Sequence, residues 1–79
     1  MKLSEAVKQR IINLTLQSGI TTHKLSLNAG VPYSTLNSFL KGKCTSITLT
    51  TLLHICEGIE ISLKQFFNDP IFKDVSSDD

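Results

Sequence analysis

Apolar residues recur along most of this chain at spacings of three and four residues. The N-terminal stretch places four of them on one face of an amphipathic helix: Leu3, Val7, Ile11 and Leu14. We predict this first helix at residues 4–17, because Gly19 is a residue type that commonly ends a helix. No segment shows the alternation of apolar and polar residues that is typical of a β-strand. The pattern therefore predicts an all-α fold.

Two short helices follow, separated by only a few residues. Thr21 is a favourable N-cap for a second helix at residues 22–29, which Gly30 ends. A third helix begins at Pro32 or Tyr33, since proline is tolerated in the first turn of a helix. Two short helices joined by a tight turn form the helix-turn-helix arrangement, in which the second helix enters the DNA major groove.

Two further helices are predicted in the second half of the chain. Thr48 is expected to cap a fourth helix, and Ser62 a fifth that ends near Phe67. The inward side of the fourth helix is predicted to consist of Leu49, Leu52, Leu53, Ile55 and Cys56. The chain then divides into a compact domain at residues 1–68 and an acidic C-terminal tail at residues 69–79.

The third predicted helix has an unusual polar side. Its apolar residues, Leu36, Phe39 and Leu40, leave free a side that carries short hydrogen-bonding groups: Tyr33, Ser34, Asn37 and Ser38. A helix that only covers a core usually exposes charged residues there. Short donors and acceptors suit the edges of DNA bases instead.

Charge is unevenly distributed, although the net charge is only +1. Residues 1–56 carry six basic side chains and one acidic, a net of +5, whereas residues 57–79 carry two basic and six acidic, a net of −4. No acidic residue occurs between Ala6 and Cys56. Such a region favours a polyanionic partner. Chance is the alternative, because the cations are spread out and do not form a dense patch.

Length and composition exclude several classes of function. A chain of 79 residues forms one domain with little room for an enclosed active site. No nucleophile motif is present, and we predict no enzymatic activity. No apolar run is long enough to cross a membrane, and the first residues do not form a signal peptide. We therefore expect a cytoplasmic protein with no membrane contact.

Cysteine and histidine do not form a recognisable metal site. His54 and Cys56 are two positions apart on a helix and therefore lie on different faces. Cys44 and His23 add no spacing that is typical of a zinc site. We predict a buried Cys56, an exposed Cys44, no disulfide and no metal or other cofactor.

A resemblance to a known family rests on two segments: GITTHKLSLNAGVPYSTLNSFLKGK and TLTTLLHICEGIEISLKQFF. They are similar to the Cro/repressor-type (Xre-like) helix-turn-helix domain, over about residues 4–67. The resemblance implies five helices, with the second and third forming the helix-turn-helix, and binding to duplex DNA, often as a two-fold dimer. By matching position it implies base contacts from Tyr33, Ser34, Asn37 and Ser38, and phosphate contacts from Thr22, Lys41, Lys43, Thr45 and Ser46.

Six positions depart from the usual pattern of that family, and two of them, Thr15 and Leu40, stand where many members form an arginine–glutamate ion pair. Thr22 stands where glutamine is common, which shortens or removes a phosphate contact. Tyr33 and Ser38 replace the arginine or glutamine of many members, and without arginine the bidentate pairing with guanine is lost. Glu60 stands where glycine is favoured after the fourth helix. Either that helix ends early at Gly58, or Glu60 is left-handed at a cost of about 1 kcal/mol.

The sequence thus predicts a sequence-specific transcriptional regulator, a repressor, that reads the major groove with the helix at about residues 33–41. We expect a homodimer on a palindromic operator. Two alternatives remain open: a protein-interaction module that keeps the fold, and an antitoxin whose tail binds a toxin. A second apolar stripe, Ile12 and Leu16, is expected to lie under the fifth helix, with a partner surface as the alternative. Candidate dimer contacts, unless the fifth helix covers them, are Ile59, Ile61, Phe67, Ile71 and Phe72.

Overall fold

The computed structural model describes residues 1–78 and contains five α-helices followed by one turn of 3-10 helix at Pro70–Phe72. The α-helices are α1 (Leu3–Ser18), α2 (Thr22–Ala29), α3 (Tyr33–Leu40), α4 (Leu49–Ile59) and α5 (Leu63–Phe67). The predicted all-α, five-helix fold is confirmed. None of the described helices is long and apolar enough to cross a membrane.

Three side-chain caps explain where helices begin. Thr21, Thr48 and Ser62 each accept a hydrogen bond from the backbone amide three residues later, at 3.0, 3.0 and 3.1 Å. Gln65 completes a capping box, because its Oε1 accepts a bond of 2.8 Å from the Ser62 amide. These caps satisfy amides that have no partner within their helix, and they confirm the predicted starts of α2, α4 and α5.

The end of α4 decides between the two alternatives for Glu60. The helix continues through Gly58 and ends at Glu60, which has φ 67° and ψ 42°. Glu60 is the one non-glycine residue with positive φ among residues 1–78. Gly58 is needed inside the helix because α4 meets α2 there: a Cβ at this position would lie 3.0 Å from the backbone N of Ala29. The left-handed Glu60 is therefore the conformation that this chain adopts.

A single core joins the helices. Burial of its apolar side chains supplies the main driving force for folding. The side chains are Val7, Ile11, Leu14, Leu25, Ala29, Val31, Leu36, Phe39, Leu52, Ile55, Cys56 and Phe66. Cys56 is buried and Cys44 is exposed, as predicted, and both are free thiols.

Four leucines that we placed on apolar helix faces are exposed, the first being Leu3 at the start of α1, at 44%. The inward placement of Leu49 and Leu53 is wrong, since they are 75% and 41% exposed. Leu53 lies about 100° around the helix from the buried Leu52, and Leu49 stands in the first turn, at the edge of the core. Cover by the fifth helix is also wrong for Leu16, which is 76% exposed.

Arg10 connects α1 to the end of α5. Its guanidinium donates hydrogen bonds to the backbone carbonyls of Phe66, at 2.8 Å, and Gln65, at 3.0 Å. It also pairs with the Asp69 carboxylate at 3.1 Å, which is the one ion pair found in residues 1–78. A cation at the carboxyl end of a helix satisfies carbonyls that have no partner within it. Arg10 is one of the basic residues of the stretch that contains no acidic residue. Its charge therefore stabilises the contact between α1 and α5.

The segment after Asn68 lies against the helices. Phe72 packs on the core, with its ring centroid 5.0 Å from that of Phe67. Further along, Ser76 forms an isolated parallel bridge with Lys2. The segment predicted as an acidic tail therefore contacts both α5 and the start of α1.

Asp78 caps α1 from the other end of the chain. Lys2, at the N-cap position, provides no side-chain cap. The Asp78 carboxylate accepts hydrogen bonds from the backbone amide of Ser4, at 2.9 Å, and from its hydroxyl. These bonds favour the ionised form and hold the pKa of Asp78 below its usual value.

Candidate nucleic-acid interface

The turn between α2 and α3 fixes how α3 sits on the domain. Only residues 30–32 separate the two helices. Gly30 ends α2 with φ 69°, a conformation that glycine adopts without steric cost. Val31 follows with its side chain buried, and Leu36 and Phe39 bury one side of α3. The opposite side of α3 therefore faces away from the core.

The four predicted base-contacting residues share that outward side. Tyr33 and Ser34 are exposed, whereas Asn37 and Ser38 are half-buried. Within residues 1–78, none of the four uses a side-chain polar atom in a hydrogen bond. The hydroxyls of Thr21, Thr48 and Ser62, by contrast, all serve as helix caps. The donors and acceptors on α3 are thus not needed for folding and are available to a ligand.

The predicted phosphate-contacting residues lie outside α3, near the two ends of its outward side. They are the half-buried Thr22 at the start of α2 and the exposed Lys41, Lys43, Thr45 and Ser46 after α3. Gly42, with φ 77°, turns the chain so that the Lys43 amide donates to the carbonyl of Ser38 at 2.9 Å. Neither lysine forms an ion pair with an acid in the described part of the chain. Both charges are therefore free to meet a polyanion.

Sequence reasoning missed two residues beside this surface. His23 was considered only as a metal ligand, yet its ring centroid lies 5.4 Å from that of Tyr33. The helix-turn-helix motif was the available signal, because it brings the starts of α2 and α3 together. Lys8 of α1 was not assigned either, and its Nζ lies 3.9 Å from where a Cβ on Gly42 would be.

In residues 1–78, no three His, Cys, Asp or Glu side chains are placed to hold a metal ion.

Two acidic groups approach the proposed phosphate contacts. A surface groove of about 170 Å³ is lined by Lys8, Gly42 and Thr45 together with the acidic Glu5 and Asp78. The carboxylate that caps α1 therefore stands beside the loop that follows α3. Its negative charge partly offsets the positive charge of that region.

Comparisons with known proteins agree with the five-helix fold. The sequence profile of the Cro/C1-type HTH DNA-binding domain matches residues 10–70, a range that includes every proposed base and phosphate contact. No curated protein matches the chain. Among solved structures, the chain is similar to the crystal structure of the prophage Lp1 protein 11, with a TM-score of 0.81 and 30% sequence identity. The alignment covers 95% of this chain and 100% of that one.

Proposed function

The chain belongs to the family of Cro/C1-type helix-turn-helix DNA-binding domains, and from this premise we propose that it is a transcriptional repressor that reads the DNA major groove. The observation that carries the proposal is the outward side of α3, where four polar side chains have no internal hydrogen bonds. An α-helix with its side chains is about 10–12 Å in diameter, which fits a major groove about 12 Å wide. In this arrangement the first residues of α3 meet the base edges.

Each residue on α3 has a role that follows from its chemistry. The Asn37 amide offers a donor and an acceptor, which match N6 and N7 of adenine. The Tyr33 ring provides an apolar surface for a thymine methyl group. Ser34 and Ser38 are able to donate to any acceptor in reach. Because this side carries no arginine or lysine, we propose that the operator half-site is read mainly at A·T pairs.

The backbone contacts position the helix without adding sequence information. Lys41 and Lys43 lie just after α3, next to the hydroxyls of Thr45 and Ser46, and we assign this group to the phosphates at one end of the half-site. Thr22, in the first turn of α2, is assigned to the other end. Its short side chain makes this the weaker contact.

A homodimer on a palindromic operator completes the proposal. Two-fold symmetry places the recognition helices about 34 Å apart, one turn of DNA. Of the residues proposed for the dimer contact, Phe67 is 40% exposed, whereas Ile59, Ile61, Ile71 and Phe72 are half-buried in their own chain. The exposed Leu49 and Leu53 extend the apolar surface available to a second copy. Sedimentation of Phe67→Ser and Leu53→Ser with a palindromic duplex tests the homodimer. A wild-type chain that stays monomeric on that duplex rules the homodimer out.

The central experiment separates base reading from phosphate contact. Duplexes that bind the chain are first selected from a random pool, and affinities for the selected and a random duplex are then compared at two salt concentrations. Asn37→Ala should weaken the selected duplex by about 5- to 150-fold and leave the random duplex nearly unchanged. Lys43→Ala should weaken both alike and reduce the salt slope by about 0.9.

Matched controls exist for both substitutions. Asn28→Ala removes an exposed amide from the end of α2, and Lys64→Ala removes an exposed ammonium from α5. Both should bind like the wild type. An unchanged ratio of selected to random binding in Asn37→Ala refutes base reading through Asn37. No binding to any duplex at low salt would instead favour the protein-interaction module or the antitoxin.

A further inference from the structure

His23 and Tyr33 come from different helices of the helix-turn-helix, yet their rings are in contact. The ring centroids are 5.4 Å apart and the planes are inclined by 52°. This distance lies within the range in which aromatic rings attract each other, and the tilted arrangement is a favourable one. Both side chains are nevertheless exposed, with Tyr33 at 45%. The contact is therefore a surface feature on the side of the proposed DNA interface.

Tyr33 needs an external support to hold its orientation. It is the first residue of α3, so no preceding helical turn restricts its side chain. Pro32 before it provides no side-chain cap. Within residues 1–78, the imidazole of His23 is the one aromatic ring that packs against it. An exposed tyrosine without this support would exchange between rotamers and lose its entropy on binding DNA.

His23 is itself held firmly at its backbone. Its carbonyl accepts a hydrogen bond of 2.6 Å from the Ser26 hydroxyl. The preceding Thr21 caps the same turn through a bond of 3.0 Å from the Lys24 amide. The imidazole makes no hydrogen bond or ion pair in the described part of the chain. It is thus a ring on a rigid base, turned toward Tyr33.

We propose that His23 is a positioning residue that orients the Tyr33 ring and so sets the discrimination at the base pair that Tyr33 contacts. The inference rests on the proposed function, because it assumes that α3 reads base edges. It assigns His23 a role through its ring and not through its charge. A phosphate contact by a protonated imidazole is the competing role.

A double-mutant cycle tests the proposal on the whole chain. His23→Ala, Tyr33→Ala and the double variant are compared by their ratio of affinity for the selected duplex to affinity for the random duplex. His23→Ala should lower this ratio about 3- to 10-fold, the size of coupling expected for two side chains in contact. In the Tyr33→Ala background the same substitution should have no further effect. His23→Phe keeps a ring without a charge and should restore the wild-type ratio.

Three results would overturn the inference. They are additive losses in the double variant, failure of His23→Phe to restore the ratio, and a salt slope that falls by about 0.9 in His23→Ala, which marks a lost phosphate contact. Asn28→Ala is the control on the same helix, at its other end. Because both rings are exposed, each variant should fold like the wild type, and circular dichroism checks this.

The outcome for Asn37→Ala keeps this test separate from the proposed function. If Asn37→Ala loses specificity while His23→Ala does not, only the role of His23 is refuted. If Asn37→Ala and Tyr33→Ala also keep their specificity, the assignment of α3 as the reading helix fails first.

Discussion

Replacing Glu60 with glycine should make the domain more stable. Glu60 has φ 67°, and this left-handed conformation costs a residue with a Cβ about 1–2 kcal/mol. Glycine removes that cost. It also gives the unfolded chain more conformational freedom, which offsets roughly 0.5–1 kcal/mol of the gain. No described group hydrogen-bonds or pairs with the Glu60 side chain, so no contact is lost. Taking the middle of each range, the net gain in the free energy of unfolding is about 0.5–1 kcal/mol.

The same α4 segment offers a substitution with the opposite effect. Gly58→Ala would gain about 1 kcal/mol in helix propensity at an open position. Here its Cβ would lie 3.0 Å from the backbone N and the Cβ of Ala29, and 3.1 Å from the Cα. A backbone cannot move aside as a flexible side chain can, so overpacking by about 1–3 kcal/mol outweighs the gain. Gly58→Ala should therefore be destabilising.

Thermal unfolding followed by circular dichroism measures both effects. For a domain of this size, 1 kcal/mol shifts the midpoint by about 4–8 °C. Glu60→Gly should raise the midpoint by about 2–8 °C, and Gly58→Ala should lower it. Glu57→Gly is the matched control, because Glu57 is an exposed glutamate inside α4, where glycine costs about 1 kcal/mol. A fall in midpoint for Glu60→Gly would refute the reasoning about the left-handed residue.

Three further predictions concern the thiols, α5 and the α1 cap. Cys44 should be alkylated quickly in the native protein, whereas Cys56 should react only on unfolding, because burial raises the pKa of its thiol; mass spectrometry separates the two, and equal rates contradict the burial. Arg10→Met should lower the free energy of unfolding by about 2–4 kcal/mol, since it leaves Asp69 without its partner. Denaturant titration measures this, and Arg10→Lys should lower the free energy of unfolding by less. Asp78→Ala should lower the melting midpoint at pH 7, and the difference from wild type should vanish well below about pH 4. The folded-state pKa is depressed, so this stabilisation is present above the unfolded-state value and is lost as pH falls through the folded one.

The helices were predictable because their signals are local. Thr21, Thr48 and Ser62 cap the helices they precede, and the spacing of apolar residues identifies the buried side of α1 and α3. The short turn at Gly30 indicated that α2 and α3 form a helix-turn-helix. The resemblance to a family, which the profile match supports, added the expectation of DNA binding. The individual base and phosphate contacts remain predictions.

The errors arose where distant parts of the chain decide the structure. Nothing in the local sequence shows that Leu49 lies beyond the edge of the core, since its spacing fits the buried side of α4. The local sequence left Gly58 and Glu60 as alternative ends of α4, and only the approach of Gly58 to Ala29 explains why Gly58 lies inside the helix. The sequence identified Arg10 only as one of the basic residues of positions 1–56, because its partner Asp69 is 59 residues away. Periodicity describes one helix at a time and does not specify which helices meet.

The pairing between the two ends of the chain affects how the domain opens. The bonds from Ser4 to Asp78 join residues 74 positions apart, and closing such a long loop costs more entropy than forming the local contacts within the helices. The end pairing should therefore form late in folding and open first, so the amides of Ser4 and Ser76 should exchange their hydrogens faster than those of the core. Each opening withdraws the Asp78 carboxylate from the groove it shares with Lys8 and Thr45. The Asp78 part of the negative charge beside the proposed phosphate contacts is then intermittent, whereas Glu5 stays in the groove. DNA therefore meets a less negative surface whenever the ends are apart.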